Sequence, residues 1–454
     1  MNAQKLVEPS MAIYHGLWAV GIKPVSNSTD GAQVERSTQC LMMGWAKDCK
    51  TYTFKHPLEQ RDPIKVKLQL FDGLPLIQQQ DTKHLRKTCR NNIFSGARSL
   101  VIGNYYAAYH QIYEIAFSEK SAKGTAPPIK RRDVVKLDRQ DDNAAARLFS
   151  AAVLEWEAER ANPRHGLIHL LFVLGELVDS CQSHTVTHEE RIQMAWRVLF
   201  FIEHWKEFLM SAGYSLGQYY ISHQCASIIK TVVNAVLSLI LTYRDYGEGQ
   251  PLLPWLHSTE PVEHMFGEAW QLCPNFTHLE FIYLANKLYR VMSSLNMDAK
   301  PSNDKASAAG YSHGAYLRQH DIDLQILSRF PSDKVIETHT KAAYGKAHGL
   351  MIHLRYMPKG RSADSSGLLT LPPIKEWYPD GVETCDDSES DDGTDRGEDD
   401  AESEDEEALH RSIFKTNQML ERAIDNVKRL PLTPAIERAI FAATAIDIDR
   451  MDEM

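Results

Sequence analysis

The sequence predicts a mainly helical fold opened by a short α/β segment, and three observations carry that expectation. Apolar residues recur at i, i+3/i+4 and i+7 through most of residues 82–355, the period of helices with one buried face. Strict alternation is confined to the first 80 residues, where IKVKLQL at 64–70 suits a half-buried strand and LPLIQQQ at 74–80 a second one. Hydrophobic residues make up 43% and charged residues 24% of the 454, enough apolar surface for packed cores over most of the chain.

The elements follow in order. Residues 9–21 pattern as a short amphipathic helix stopped at Gly21, because glycine readily takes the left-handed turn that ends helices. IKPVSNSTDG at 22–31 is an extended stretch running into an Asp-Gly turn, and 32–48 suits a helix. Helices are then expected over 82–118, 142–160, 165–181, 188–211, 215–246, 261–271, 277–295 and 332–355. Pro, Gly and Ser make 360–382 a linker. Residues 383–407 hold fifteen Asp/Glu against one Arg, a local charge of −14, so the formal −10 of the whole leaves +4 on the other 429 residues. That tract has almost nothing apolar to bury and is expected to be disordered, with a helical tail after it.

Seven cysteines are dispersed without CxxC spacing, which suits reduced thiols in an intracellular protein and argues against a disulfide framework or a zinc ribbon. No charged region precedes an apolar one at the N-terminus, so no signal peptide is expected. The most apolar stretch, 226–243, is broken by Lys230 and Asn234 and suits a buried helix better than a membrane span. These features describe a soluble intracellular protein.

Chemistry-bearing residues cluster in three motifs. The first is Ser28-Thr29-Asp30-Gly31-Ala32, followed by Glu35, Arg36 and Gln39. It ends a strand on a carboxylate that a metal could use or that merely makes a turn. The second runs from Asp81 through Lys83, His84, Leu85, Arg86, Lys87 and Arg90 to Asn91-Asn92. Asp81 stands where an N-cap is wanted. Lys83, Arg86, Lys87 and Arg90 share one helix face, which would either grip phosphates or stay solvated. The third is Thr259-Glu260-Pro261-Val262-Glu263-His264-Met265-Phe266-Gly267, a helix start with Glu263 in its first turn.

In order and character these motifs resemble the P-element-type DNA transposases found in fungal genomes, distantly akin to the hAT superfamily. STDGA resembles that family's Asp-Gly strand end, the 81–91 stretch its D-x-x-H-L-x-K-x-x-R-N pattern, and 259–267 its T-[DE]-x-[LV]-E-x-x-F-G helix start. The resemblance spans roughly residues 10–295 and implies a partial RNase H-like α/β fold interrupted by a large all-helical insertion. On that basis the expected division is a partial catalytic domain at 1–93, an insertion at 94–257 and a returning catalytic helix at 258–295. A helical extension at 296–359, the linker and acidic tract at 360–410 and a helical tail at 411–454 complete it.

By resemblance, Asp30 and Glu263 are the second and third catalytic carboxylates and metal ligands. Asp81 and His84 are accessory residues, and Lys83, Arg86, Lys87 and Arg90 contact DNA. The family holds two Mg²⁺ with three carboxylates for strand cleavage and transfer, since this hard ion wants oxygen ligands. The first carboxylate has no counterpart: no Asp precedes Asp30, and Glu8 is the sole acid there. The chain is therefore expected to be an N-terminally truncated or degenerate copy, binding Mg²⁺ weakly and inactive alone. Nuclear localisation and a DNA partner also rest on the resemblance, with no membrane partner. No guanine-reading motif is matched, so nucleotide use is not assigned. Two other readings compete. One is a non-catalytic nuclear protein that binds DNA or chromatin and offers its acidic tract to basic partners such as histones. The other is a helical scaffold in which the motifs have no present role. His184 and His188, spaced i, i+4, have no Glu between them as in HExxH and no third ligand nearby, so no metal site is expected there.

Overall fold

A computed structural model of the protein describes residues 2–95, 98–119, 125–135, 137–160, 163–296 and 322–354. The linker, acidic tract and helical tail expected over 360–454 lie outside them, as does most of 296–321. Helices dominate, among them α1 (Ala3–Ala19), α2 (Gln33–Met43), α3 (Thr82–Phe94), α4 (Tyr109–Phe117), α5 (Arg132–Val135), α6 (Asp142–Leu148) and α7 (Ala151–Ala158). The series continues with α8 (His165–Gln182), α9 (His188–Ser211), α10 (Leu216–Tyr219), α11 (His223–Tyr246), α12 (Glu260–Leu272), α13 (His278–Asn296) and α14 (Asp333–His353). The strands are β1 (Ser26–Thr29), β2 (Asp48–Phe54), β3 (Ile64–Phe71), β4 (Leu74–Pro75), β5 (Ile77–Gln80), β6 (Leu100–Ile102) and β7 (Tyr105–Ala107).

The described residues divide into two compact units, and the chain passes back and forth between them. The first takes residues up to 85, 177–196 and 227–342; the second takes 86–176, 197–226 and the rest from 343.

In the first unit β1 and β5 pair in parallel with Thr29 opposite Gln80, while β2, β3 and β4 form an antiparallel sheet. Val7 and Met11 of α1 pack with Met42, Phe71 and Leu76, and Trp18 stacks on Phe71 at 5.7 Å. α1 begins at Ala3, six residues before the predicted start, because Asn2 caps it by accepting from the Lys5 N–H and Pro9 sits on its exposed side. β5 is polar yet buried. Gln39 donates to the carbonyls of Asn27 and Gln79, and Gln80 donates to Thr29 Oγ1 and Gln39 Oε1, so amides stitch β1, β5 and α2 together.

In the second unit the predicted single helix over 82–118 is instead α3, a β6–β7 hairpin and α4. Gly103 opens the two-residue turn at φ +61, and an added Cβ would fall 1.8 Å from the Leu354 carbonyl oxygen. Trp205 donates to the Val101 carbonyl at 2.6 Å, and buried Arg197 pairs with Glu176 at 2.8 Å. α11 is long and apolar enough to span a membrane, but 72% of its apolar window is buried inside the protein, as for a core helix.

Two imidazoles of the first unit are held neutral by burial. Desolvation lowers His257 and His188 from 6.5 to about 4. His257 lies between Ser26 Oγ at 2.7 Å and Tyr243 Oη at 3.2 Å, and His188 meets the Leu327 carbonyl at 2.9 Å. The unfolded chain binds these protons below pH 6.5 whereas the folded chain refuses them until about pH 4. Stability from this source is full above about 6.5 and falls as pH drops toward 4. Thermal melts across that window should show a declining Tm, with a shallower decline in His257→Gln. Parallel pH profiles for the two proteins would contradict this account.

Candidate metal-binding site

The parallel register places the residues that follow β1 and β5 at one edge of their sheet. Asp30 follows β1 and Asp81 follows β5, whose backbone N–H at Asp81 donates to the Thr29 carbonyl at 2.8 Å. Asp30 is half exposed, on a loop that is fixed from both ends. Glu35 accepts from the N–H groups of Gly31 and Ala32 at 3.2 Å, and Arg36 donates to the Gly31 carbonyl at 3.1 Å. Gly31 sits at φ +93, a backbone conformation that side-chain-bearing residues rarely adopt, so the position favours glycine. Asp-Gly in the sequence thus marks a tight exit from the strand.

Asp81 is 1% exposed and caps α3 as predicted, accepting from Lys83 N–H at 2.8 Å and His84 N–H at 2.9 Å through Oδ1. Its Oδ2 accepts from the Thr259 N–H and hydroxyl at 3.0 and 3.1 Å. Thr259 stands at the start of α12, so one buried carboxylate joins two helix N-termini. One turn on, Glu263 Oε1 lies 3.2 Å from the Thr259 hydroxyl and 3.4 Å from His84 Nε2. Thr259 has a single O–H proton, so it serves Asp81 or Glu263 at any instant, not both.

The result is that Asp30, His84 and Glu263 converge, with one ligand atom from each within 4.8 Å of the others. His84 Nε2 lies 3.6 Å from Asp30 Oδ1. Two carboxylates this close repel by about 1 kcal/mol even at the dielectric of water, which a cation between them would relieve. The group is open to solvent. Clefts of about 380 and 340 Å³ lie elsewhere in the same unit, and neither is lined by these residues. Asp81 is absent from the group, since both its oxygens are committed to the two helix starts.

The basic face expected on α3 is not presented as an open surface. Lys83 pairs with Glu260 at 2.5 Å. Lys87, 9% exposed, faces Asp142 at 3.6 Å, and Arg86 donates to the Asp142 carbonyl at 3.3 Å. Arg90, 1% exposed, donates to the carbonyls of Asp138 and Asp133 at 2.8 and 3.0 Å. Cations taken out of water must be partnered, and the 133–142 segment supplies the acceptors. His184 and His188 are engaged by the Trp255 ring at 4.2 Å and the Phe330 ring at 5.0 Å. A second trio, His165, His169 and His353, also converges; His165 and His169 carry an i, i+4 spacing in the sequence, whereas nothing in it brings His353 to them.

No family model, curated protein or solved structure matches this chain.

Two measurements test this geometry. Asp81→Ala removes a buried N-cap, worth about 1 kcal/mol, and leaves the Thr259 donors unmet at about 1–3 kcal/mol more, so Tm should fall by several degrees. An unchanged Tm would mean Asp81 does not hold the two helices. Lys83→Gln with Lys87→Gln should also lower Tm, yet leave the salt dependence of any duplex binding unaltered. A loss of about two units from the slope of log K against log salt would show these lysines on phosphates after all.

Proposed function

We propose that the protein derives from a P-element-type DNA transposase and that Asp30 and Glu263 are the surviving carboxylates of a phosphodiester-cleaving metal centre. The observation that carries this reading is the convergence of two carboxylates 233 positions apart, each brought in by one of the three motifs, on the imidazole of the D-x-x-H stretch. The parallel β1–β5 pair, with a helix following each strand, is compatible with one part of an RNase H-like sheet. Among the described residues β1 pairs on one side only, which leaves the adjacent position for the strand that carries the first carboxylate in that family.

The donor set fits a hydrated divalent ion. One or two carboxylates with water completing the shell are what Mg²⁺ takes, and the imidazole widens the choice to Mn²⁺. Asp30 and Glu263 would hold the ion, which when bound supplies neutralisation of charge developing on a phosphodiester oxygen. His84 bridges the carboxylates and sets their separation. Lys83, committed to Glu260, adds no phosphate contact. With two carboxylates the centre binds metal weakly and carries out no strand transfer alone. Double-stranded DNA is the substrate class this reading implies, in the nucleus.

Mn²⁺ titration followed by electron paramagnetic resonance tests it. The expected result is weak binding that disappears in Asp30→Asn/Glu263→Gln while the circular dichroism spectrum is retained. Binding that survives the double substitution would remove the metal centre from this site. Strand transfer of a pre-cut DNA end by the wild-type chain alone would overturn the claim of an incomplete centre.

A further inference from the structure

We propose that His165, His169 and His353 form a second metal site, one that takes a borderline transition-metal dication of the zinc, cobalt and copper group. The three belong to the second unit, and their ligand nitrogens lie within 4.8 Å of one another. His165 opens α8 and His169 follows one turn later on the same face; His353 is the last residue of α14. Sequence does not bring the two helices together, since 184 positions separate His169 from His353.

The hydrogen bonding prepares lone pairs for a cation. His169 Nδ1 lies 2.6 Å from the His165 carbonyl, an acceptor only, so Nδ1 carries the proton and Nε2 keeps its lone pair. Metal-bound histidines usually carry this kind of carbonyl partner on the far nitrogen, fixing tautomer and ring angle. His353 Nδ1 lies 2.7 Å from His169 Nε2 and must therefore be the donor. A metal would replace that single shared proton, which moves to the other nitrogen of His353, so no net charge is lost from the protein.

The framework is rigid where a site needs it. The β6–β7 turn pins the end of α14, with Asn104 N–H donating to the Leu354 carbonyl at 3.0 Å. Tyr105 packs edge-on against the His165 ring at 5.2 Å. Ring centres are separated by 4.7, 4.7 and 6.2 Å. Three imidazoles on a tetrahedral ion with bonds of about 2.0–2.1 Å would sit roughly 5 Å apart, so ligation needs shifts of well under a rotamer change. All-nitrogen donors exclude Mg²⁺ and Ca²⁺ as preferred occupants, and three protein ligands leave a fourth position for solvent. His169 and His353 are buried while His165 is half exposed, which gives the ion a way in.

This site is independent of the carboxylate centre, and the test keeps them apart. Full-length Asp30→Asn/Glu263→Gln protein, stripped with chelator, is titrated with Co²⁺ and read by visible absorption. One equivalent should give the intense ligand-field band of low-coordinate cobalt, abolished by one equivalent of Zn²⁺. His169→Gln or His353→Gln should weaken binding by about tenfold or more. Because those variants disturb a buried cluster, the unsubstituted trio is also loaded with Cu²⁺ and its imidazole nitrogens counted by electron spin echo modulation. Three coupled imidazoles support the site. Absence of the cobalt band, a band that survives either substitution, or fewer than three imidazoles would overturn it, leaving the trio as packing.

Discussion

The carboxylate of Asp81 is the constraint on which the arrangement of the first unit turns. A charge at 1% exposure is tolerated only when its oxygens are met by donors, and here three backbone N–H groups, joined by a Thr259 hydroxyl shared with Glu263, meet it from two sequence regions 178 positions apart. Two of those N–H groups are the leading amides of α3; the third, like the hydroxyl, belongs to Thr259 at the head of α12. Its own N–H reaches back to Thr29 on β1. From that one junction the neighbouring positions follow: Asp30 is the residue after Thr29, His84 is three beyond Asp81, and Glu263 is one helical turn beyond Thr259. The buried acid therefore sets where Asp30, His84 and Glu263 stand.

Much of this was legible in the sequence, because motifs carry local geometry. Asp-Gly forecast a strand exit, Asp81 a cap, and Glu263 a first-turn position, and each is where the spacing put it. What sequence spacing leaves open is what lies opposite. That Lys83, Arg86, Lys87 and Arg90 share a face was readable; that Glu260 and the 133–142 segment would occupy that face was not. The β6–β7 hairpin escaped notice because Leu100–Ile102 and Tyr105–Ala107 are buried on both sides and show no alternation. β2 does alternate, exposed Thr51 and Thr53 against buried Tyr52 and Phe54, but over too few residues to stand out. The helical period over 188–211 gave α9 at its observed bounds, whereas the helix expected over 215–246 is divided into α10 and α11.

The first unit also shows how a polar strand can sit in a core. Gln79 and Gln80 are essentially inaccessible, and the side-chain amides of Gln39 and Gln80 replace the apolar packing that a parallel strand normally brings. Hydrogen bonds are directional where apolar contacts are not, so this network fixes the register of β1 on β5 as well as their separation. Asp30 inherits its position from that register. The two groups that could hold a metal differ in kind: carboxylates at a solvent-facing sheet edge in one unit, imidazoles beneath a hairpin turn in the other. Hard and borderline cations would be sorted by donor atoms alone, without competition for a shared pocket.

The interleaved units bear on how the protein is made. Asp30 leaves the ribosome 233 residues before Glu263, a delay of roughly ten to fifty seconds at translation rates of about 5–20 residues per second. Throughout that interval β1, β5 and the start of α3 exist without the Thr259 donors, and Asp81 has to remain in water. Neither unit can close as it emerges, since each waits for a later return of the chain, the first for residues up to 342 and the second for those beyond. The nascent chain thus exposes the apolar face of α11 for longer than a chain with consecutive domains would, a demand on ribosome-associated chaperones written into the topology itself.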